Sequence, residues 1–281
     1  MRKIYSELTH QELTLHEKCT RVISFSPAIT ETIFELGLDD ILLGVSAYCV
    51  HPEKAKEKIR IGSYNNFNEK LIDSINPELC FTTTGYQHSL INKLKNKFPV
   101  YPIRLPITVS DVISFCTEVG IVLGYYEKAR LLERILIKEI NDVIDIDEKE
   151  STDRIKVYIE IDLGGPITFG AYSYITDAIR LVGGRNIFEN EPFEWLVPNY
   201  DRVKNENPGI IIYEPRMYFK RKSFEEVFSL FKDKLNDVNA IKNKNFFITP
   251  GPYDFLAHHG PGFIKNALPW LKQIIKKAKS T

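Results

Sequence analysis

The chain has 281 residues, of which 43% are apolar, and it carries 37 basic and 37 acidic residues. This composition is typical of a globular protein with room for one large domain or two ordinary ones. The neutral charge balance argues against nucleic acid or an anionic membrane as the main partner, and it favours a small molecule or a protein.

The first 22 residues, MRKIYSELTHQELTLHEKCTRV, start with a basic pair but continue with polar residues instead of an apolar run. They do not predict a signal peptide, and no segment of about 20 apolar residues predicts a membrane span. We therefore expect a protein that is cytoplasmic as numbered, or extracytoplasmic if a leader has been removed. We also expect it to be a monomer. The cysteines are far apart and form no CxxC pair, which indicates reduced thiols instead of a zinc site.

The first half of the chain alternates short apolar runs with helical patterns. The run RVISF (21–25) predicts a strand, and the helical stretch after it ends at Gly37. Two further strands are predicted at 41–48 and 98–105, and between them a helix and a strand are separated by an Asn-Pro break at 76–77. This alternation is typical of parallel βα units.

The region from 110 to 146 is helical in pattern throughout, with weak points at Gly120 and Gly124. We expect one helix to about residue 123 and a second from about Tyr125. A helix of some 20 residues spans about 30 Å, so the second helix is long enough to join two lobes.

After a charged turn at 147–154, the first pattern returns. The run IKVYIEI (155–161) predicts a strand, DLGGPITFGAYS a loop, and YITDAIRLVGG a helix that Gly183 closes. In TETIFELG and TDAIRLVG a threonine stands seven residues before a glycine, and LIDSINPELCF and RVKNENPGIII share the Asn-Pro break. The two halves are therefore predicted to use one βα plan twice.

Two similar α/β lobes joined by one long helix predict a ligand cleft between the lobes. The expected domains are an N-terminal lobe at 20–123, an interlobe helix at 124–148 and a C-terminal lobe at 154–281. Ligands of open α/β sheets bind at the loops that follow the carboxyl ends of the strands.

These predicted strand-end loops are rich in aromatic and histidine side chains, although turns are normally small and polar. Rings give rigid contact area at low entropic cost, so the set favours a flat, partly apolar ligand. The candidate ligand-binding residues are Tyr48, Cys49, His51, Tyr64, Tyr86, His88, Phe169, Tyr172, Trp195, Asp254, Phe255, His258 and His259.

The segment GPYDFLAHHGPGF (251–263) is predicted to form one wall of the pocket, with Asp254 as its polar anchor. Either of its histidines, His258 or His259, is a candidate axial ligand for a metal carried by the ligand. A plain metal ion needs three or four converging ligands, which His258 and Asp254 with His51 and His88 would supply. We rank this below the aromatic interpretation because tyrosines outnumber histidines in the loops.

Enzyme motifs are absent from the sequence: it has no GxSxG, HExxH or P-loop, and no GxGxxG after a strand. No cofactor is required. An alternative is a cytosolic enzyme that uses Cys49, His51 or His258 with Asp254 on a small molecule, for which the Cys49 pKa would have to be low. A further alternative is a sensor or chaperone that binds a protein partner.

The stretch RVISFSPAITETIFELGLDDILLGVSAYCVHPEKA resembles the opening of helical-backbone periplasmic binding proteins of the cobalamin, haem and siderophore class. ITFGAYSYITDAIRLVGGRNIF resembles the second-lobe entry of its cobalamin-binding branch, and GPYDFLAHHGPGF its aromatic loop. Over residues 20 to 276, this resemblance implies two Rossmann-like lobes, a rigid interlobe helix and non-catalytic binding of a corrinoid. Haem, siderophore-iron or a metal ion are the alternative ligands. The implied lining residues are Tyr48, Tyr64, Tyr86, Trp195, Asp254 and Phe255.

Two features depart from the secreted members of this class. The chain resembles a leaderless, cytosol-type group that also has a cysteine near the Gly-Val-Ser loop, as Cys49 is here. Secreted members present one acid on each lobe to an ABC permease, whereas the matching positions here are Lys70 and Asp201. Opposite charges would weaken symmetric docking on a permease.

Overall fold

The computed structural model of this chain describes residues 1–144, 154–217, 222–251 and 253–279. These residues form two compact units. Unit 1 consists of Met1–Pro106, Val112–Ile137 and His259–Gly262, and unit 2 of Ile107–Asp111, Lys138–His258 and Phe263–Thr281. In the described part of the chain, no helix has the length and apolar character that crossing a membrane requires.

Unit 1 begins with an antiparallel hairpin of β1 (Arg2–Ser6) and β2 (Gln11–Leu15), which the sequence patterns did not predict. Leu13 and Leu15 turn inward and are buried. The Arg2 guanidinium donates hydrogen bonds to the carbonyls of Ile121 and Val122, at the C-terminal end of a long helix. A cation at that end is favourable, because the last carbonyls of a helix carry partial negative charge.

The main sheet of unit 1 has five parallel strands in the order β5-β4-β3-β6-β7. Residues of β3 and β6 are buried throughout, as expected for central strands covered on both faces. The strands are β3 (Val22–Ser24), β4 (Leu42–Ser46), β5 (Ile59–Gly62), β6 (Leu79–Thr83) and β7 (Val100–Ile103).

Three helices connect these strands, and two longer ones follow them. They are α1 (Pro27–Glu35), α2 (Glu69–Ile75), α3 (His88–Leu94), α4 (Val109–Leu123) and α5 (Tyr126–Val143). The predicted break near residue 124 is confirmed, and Gly124 takes a φ of 86° there, which suits glycine. Residues 145–148 of the predicted interlobe helix lie outside the described residues.

Unit 2 has a mixed sheet in the order β11-β9-β8-β12-β13, with β10 beside β8. The pairs β8–β12, β12–β13 and β8–β10 are parallel, whereas β9 is antiparallel to both its neighbours. The strands are β8 (Ile155–Asp162), β9 (Pro166–Phe169), β10 (Gly184–Asn186), β11 (Trp195–Leu196), β12 (Ile210–Glu214) and β13 (Phe246–Ile248).

The segment DLGGPITFGAYS was expected to be a loop, and that expectation was wrong because it contains β9. The chain turns at Gly164, whose φ is 105°, and β9 folds back on β8 with Ile167 opposite Ile161. Ile167 and Phe169 are buried, so the strand is stabilised by packing that a short glycine-rich stretch does not reveal.

The helices of unit 2 are α6 (Tyr174–Leu181), α7 (Tyr200–Glu206), α8 (Phe224–Leu235), α9 (Asn239–Lys242) and α10 (Leu268–Lys279). Tyr158, Phe188, Ile211, Phe231 and Phe246 belong to one buried cluster on this sheet. The predicted α/β class, with a βα lobe in each half of the chain, is confirmed.

The predicted internal repeat extends to the helix caps. Helices α2 and α7 have seven residues each, and Asn68 and Asn199 cap their N-termini through side-chain oxygens. Asn76 and Asn207 end them in the left-handed conformation, with φ of 49° and 50°. Asparagine tolerates this conformation better than most residues, and the proline that follows cannot extend the helix.

Candidate functional site

The first group of candidate residues lies on the loops after β4 and β5 in unit 1. Tyr48 and Tyr64 stack with ring centroids 4.4 Å apart and planes inclined by 29°. Both rings are half-buried. Since β4 and β5 are parallel neighbours, their carboxyl-end loops meet and bring these two predicted residues together.

Cys49, between these rings and His51, is fully buried. Its sulfur lies 3.3 Å from the Ser46 hydroxyl, and the Arg60 guanidinium donates 2.9 Å hydrogen bonds to the carbonyls of Ser46 and Cys49. Burial raises the pKa of the Cys49 thiol. The enzyme alternative needed a lowered pKa, so the burial of Cys49 does not support an activated nucleophile.

A buried acid that sequence analysis missed holds the neighbouring His51. Glu31, on α1, has one carboxylate oxygen 3.2 Å from His51 Nε2. Its other oxygen accepts a hydrogen bond of 3.1 Å from the Gly262 amide. His259 belongs to the same short segment of unit 1 as Gly262, and it packs edge-on against Phe115 with ring centroids 5.0 Å apart. The sequence signal that could have identified Glu31 is an acidic residue among the apolar residues of the helix α1.

After β6, Tyr86 on the loop and His88 at the start of α3 are exposed on either side of buried Gln87. The Gln87 side chain accepts a hydrogen bond from the Thr83 amide at 2.7 Å and donates one to the Phe25 carbonyl at 2.8 Å. It thereby ties the ends of β3 and β6 and supports the exposed ring above them.

In unit 2, the pairing of β9 with β11 collects three rings at one edge. Trp195 lies opposite Phe169, and the Tyr172 amide donates a 3.1 Å hydrogen bond to the Phe193 carbonyl. Tyr172, Phe193 and Trp195 are exposed by 54%, 53% and 41%, whereas Phe169 is buried. Phe169 thus lies beneath the surface that the other three form.

The GGRNIF motif has a direct structural role at this edge. Asn186 is buried, and its amide nitrogen donates hydrogen bonds of 2.8 Å to the Phe169 carbonyl and 2.7 Å to the Thr176 hydroxyl. Its oxygen accepts one of 3.1 Å from the Phe188 amide. One buried side chain therefore fixes the end of β9, from which Tyr172 follows.

A second acid missed from the sequence, Glu214, ends β12. It is 1% exposed, and its carboxylate accepts hydrogen bonds from the amides of Phe255, Leu256 and Ala257 at 3.1, 2.6 and 3.2 Å. Burial and the nearby Asp254 raise the pKa of Glu214 to about 8, while the amides oppose this shift. The sequence signal that could have identified Glu214 is an acidic residue at the end of the apolar strand β12.

The three other candidates of unit 2 lie on the loop that Glu214 holds. Phe255 is buried and packs edge-on against Trp270, with centroids 5.6 Å apart. His258 is buried beside Tyr253, 5.9 Å away. Asp254 is half-buried; burial raises its pKa, and His258 partly opposes this. Asp254 and His258 are thus close enough to interact.

Among the described residues, no group of three or more His, Cys, Asp and Glu side chains is arranged to hold a metal ion. The predicted convergence of His51, His88, His258 and Asp254 on one metal therefore has no support in the part of the chain that the structure describes.

The predicted docking positions Lys70 and Asp201 are exposed, and each is the second residue of its helix, α2 or α7. Glu69, the acid next to Lys70, pairs with Lys97 at 2.6 Å. The repeat therefore presents opposite charges at equivalent positions of its two helices.

Residues 22–253 match the family described as periplasmic binding protein, which covers most of the chain. The chain therefore belongs to this family, as the resemblance predicted. Its members are substrate-binding proteins and not enzymes, so the predicted class of function, non-catalytic binding of a small-molecule ligand, is confirmed.

Two curated relatives are similar along much of the chain. A vitamin B12-binding protein of Yersinia pseudotuberculosis serotype O:3 (strain YPIII) is 25% identical over 194 residues, which is 68% of this chain and 68% of that protein. An uncharacterized ABC transporter substrate-binding lipoprotein of Bacillus subtilis (strain 168) is 23% identical over 266 residues, or 92% of this chain and 81% of that protein.

Solved structures share the fold at low sequence identity. The periplasmic vitamin B12 binding protein of Vibrio cholerae superposes with a TM-score of 0.76 at 18% identity, covering 94% of this chain and 99% of that one. The periplasmic heme-binding protein of Roseiflexus sp. RS-1 gives 0.75 at 22% identity, covering 92% and 99%.

Proposed function

We propose that this protein binds a corrinoid, without catalysis, through the ring-bearing loops at the carboxyl ends of the strands. The observation that carries the proposal is the exposure of these rings. Among the described residues, seven Phe, Tyr and Trp side chains are exposed; Tyr86, Tyr172 and Phe193 lie on these loops, and Trp195 is the first residue of β11. The seven are Tyr5, Tyr86, Tyr126, Tyr172, Phe193, Trp195 and Phe224.

A large exposed ring is unfavourable in water and gains when a ligand covers it. Covering about 100 Å² of apolar surface contributes roughly 2.5 kcal/mol. Two or three rings such as Tyr172, Phe193 and Trp195 therefore supply a substantial affinity for a large ligand with an apolar face. The corrin is favoured because two similar proteins carry vitamin B12 binding in their names.

The test is a titration of the purified protein with cobalamin, cobinamide and haem, followed by visible absorbance and thermal unfolding. We expect cobalamin or cobinamide to raise the unfolding temperature, since a ligand at 100 times its dissociation constant adds about 2.7 kcal/mol. A response to haem alone would replace the corrinoid with haem as the ligand. No response to any of the three would overturn the proposal.

The role of the bound ligand depends on where the protein resides. Outside the cytoplasm it would deliver the ligand to an ABC permease, and in the cytoplasm it would serve intracellular handling. Fractionation of cells that produce the protein from its own gene separates these two roles.

For the permease role, we expect docking to depend on Asp201 and to be weakened by Lys70. Capture of the permease from a membrane extract should fall with Asp201→Lys and rise with Lys70→Glu. Equal capture by all three proteins would remove these two positions from the docking surface.

A further inference from the structure

The segment from Tyr253 to Gly262, called here the 253–262 loop, carries several candidate ligand-binding residues and contacts two buried acids. Glu214 of unit 2 accepts hydrogen bonds from the start of the loop, and Glu31 of unit 1 accepts one from its end. We propose that Glu214 and Glu31 are positioning residues, which fix the backbone of the loop before the ligand arrives. The inference rests on the proposed ligand-binding function.

The contacts of Glu214 are the stronger part of the argument. Three successive backbone N–H groups, those of Phe255, Leu256 and Ala257, point to one carboxylate. A run of amides turned to one side forms a concavity that binds acceptor oxygens, and here the carboxyl group of Glu214 fills it. The Leu256 carbonyl also accepts a 2.7 Å hydrogen bond from the Tyr174 hydroxyl, so the backbone is held on both sides.

Glu31 is buried on α1, in a stretch from Ala28 to Ile33 in which every residue is buried. Burying a carboxylate is unfavourable unless its oxygens accept hydrogen bonds, and an apolar side chain would avoid this cost. The acid is explained by its two contacts, His51 Nε2 at 3.2 Å from one oxygen and a hydrogen bond from the Gly262 amide to the other. Within unit 1 it therefore joins the loop after β4 to the end of the 253–262 loop.

A loop that is already ordered loses less conformational entropy when a ligand binds. Both acids contact the backbone of the loop, at Phe255–Ala257 and at Gly262, and Glu31 also contacts the His51 side chain. We therefore expect both acids to affect ligand affinity without touching the ligand.

The test compares Glu214→Gln with a matched control, Glu160→Gln. Glutamine has the shape of glutamate but offers one acceptor oxygen, and its NH2 group would face a backbone N–H. Glu160 is also buried in unit 2, but it accepts hydrogen bonds from the hydroxyls of Tyr158 at 2.6 Å and Tyr200 at 3.0 Å, and not from the loop. Both variants remove one buried carboxylate from the same unit.

Hydrogen exchange of a peptide that contains residues 255–257 is measured on the ligand-free proteins. We expect exchange at least 10-fold faster in Glu214→Gln than in wild type, and unchanged exchange in Glu160→Gln. Cobalamin affinity should fall at least fivefold in Glu214→Gln alone, with partial recovery in Glu214→Asp. A purely structural role would lower the unfolding temperature of both variants and leave both affinities as they are.

The outcomes separate this inference from the proposed function. If wild type binds none of cobalamin, cobinamide and haem, the proposed function fails, and exchange alone decides whether Glu214 holds the loop. Unchanged exchange in Glu214→Gln overturns the inference, as does unchanged affinity when wild type binds. Should Glu214→Gln not fold, Glu31→Gln gives the same test through the exchange of Gly262.

Discussion

Unit 1 and unit 2 share helix caps and a central strand order, but they differ at one edge of the sheet. In unit 1, β4 and β5 continue the sheet in parallel beyond β3. In unit 2, β10 pairs only with the first residues of β8, and β9 folds back antiparallel on its last ones. The two units therefore repeat the central strands and helix caps, but they differ in the strands at this edge of the sheet.

The rings follow this difference. On the parallel edge of unit 1, Tyr48 and Tyr64 stack on each other and are half-buried. On the folded-back edge of unit 2, Tyr172 and Trp195 remain exposed. The comparison indicates that the repeat determines the position of the aromatic loops in each unit. The local strand pairing determines the exposed fraction of each ring.

Each unit contains a residue type that the other lacks and that can be followed experimentally. All four cysteines of the chain, Cys19, Cys49, Cys80 and Cys116, belong to unit 1, and both tryptophans, Trp195 and Trp270, belong to unit 2. Thiol labelling and tryptophan emission can therefore follow the two units separately.

The largest expected effect is the protection of the thiols of unit 1. All four are buried, and burial raises the pKa of Cys19, Cys49 and Cys80. We expect the folded protein to react with a thiol reagent at least about 100-fold more slowly than a free thiol, because the thiolate is the reactive form. Denatured protein, in which all four should react, is the control. Fast reaction of Cys49 in the folded protein would contradict its burial.

The next effect is the loss of affinity on truncating a ring from each edge. Trp195→Ala should weaken cobalamin binding about 30-fold, which corresponds to about 2 kcal/mol. Tyr48→Ala should cost less than about fivefold, because Tyr48 already covers one face with Tyr64. Tyr126→Ala, a 52% exposed ring on α5, is the matched control. Equal losses for Trp195 and Tyr48 would remove the functional difference between the edges.

A smaller effect is the response of unit 2 to pH. The pKa of Glu214 rises from an ordinary 4.5 to about 8, so between these values the folded state holds a proton that the unfolded state releases. The free energy of unfolding should therefore fall as pH rises from 5 to 8. The raised pKa of Glu160 acts in the same direction.

Urea unfolding followed by tryptophan emission measures this response, and Glu214→Gln should flatten the pH profile of unit 2. A stability that increases over the same range would contradict the expected sign.

The smallest effect tests whether the repeat is energetically equal in the two units. Asn76→Ala and Asn207→Ala should each lower the free energy of unfolding by about 1 kcal/mol, because alanine is disfavoured at a φ near 50°. Glycine at either position should be close to neutral. Thiol labelling follows the first variant and tryptophan emission the second. Clearly unequal losses of unfolding free energy would show that the two helix caps have the same geometry but contribute differently to stability.

Much of the frame could be predicted from the sequence because its signals are local. The glycine and Asn-Pro breaks gave the ends of α1, α2, α6 and α7 close to where they lie. The terminal hairpin was missed, although Ile4, Leu13 and Leu15 alternate with polar residues, because five-residue strands with many charges give a weak pattern.

The buried acids could not be assigned from the sequence. The burial of Glu31 depends on Gly262, which is 231 positions away, and that of Glu214 on amides about 40 positions away. Local periodicity contains no information on such distant partners. The ring-bearing loops were predicted as a set, but the stacking of Tyr48 on Tyr64 and the burial of Phe169 follow from strand register.

The return of His259–Gly262 to unit 1 affects how the protein is made. On the ribosome, residues up to Ile137 emerge long before these four, so the hydrogen bond from Gly262 to Glu31 cannot form until 231 further residues after Glu31 have been translated. A gene that stops after the codon for Ile137 would encode most of unit 1 but would never supply His259–Gly262.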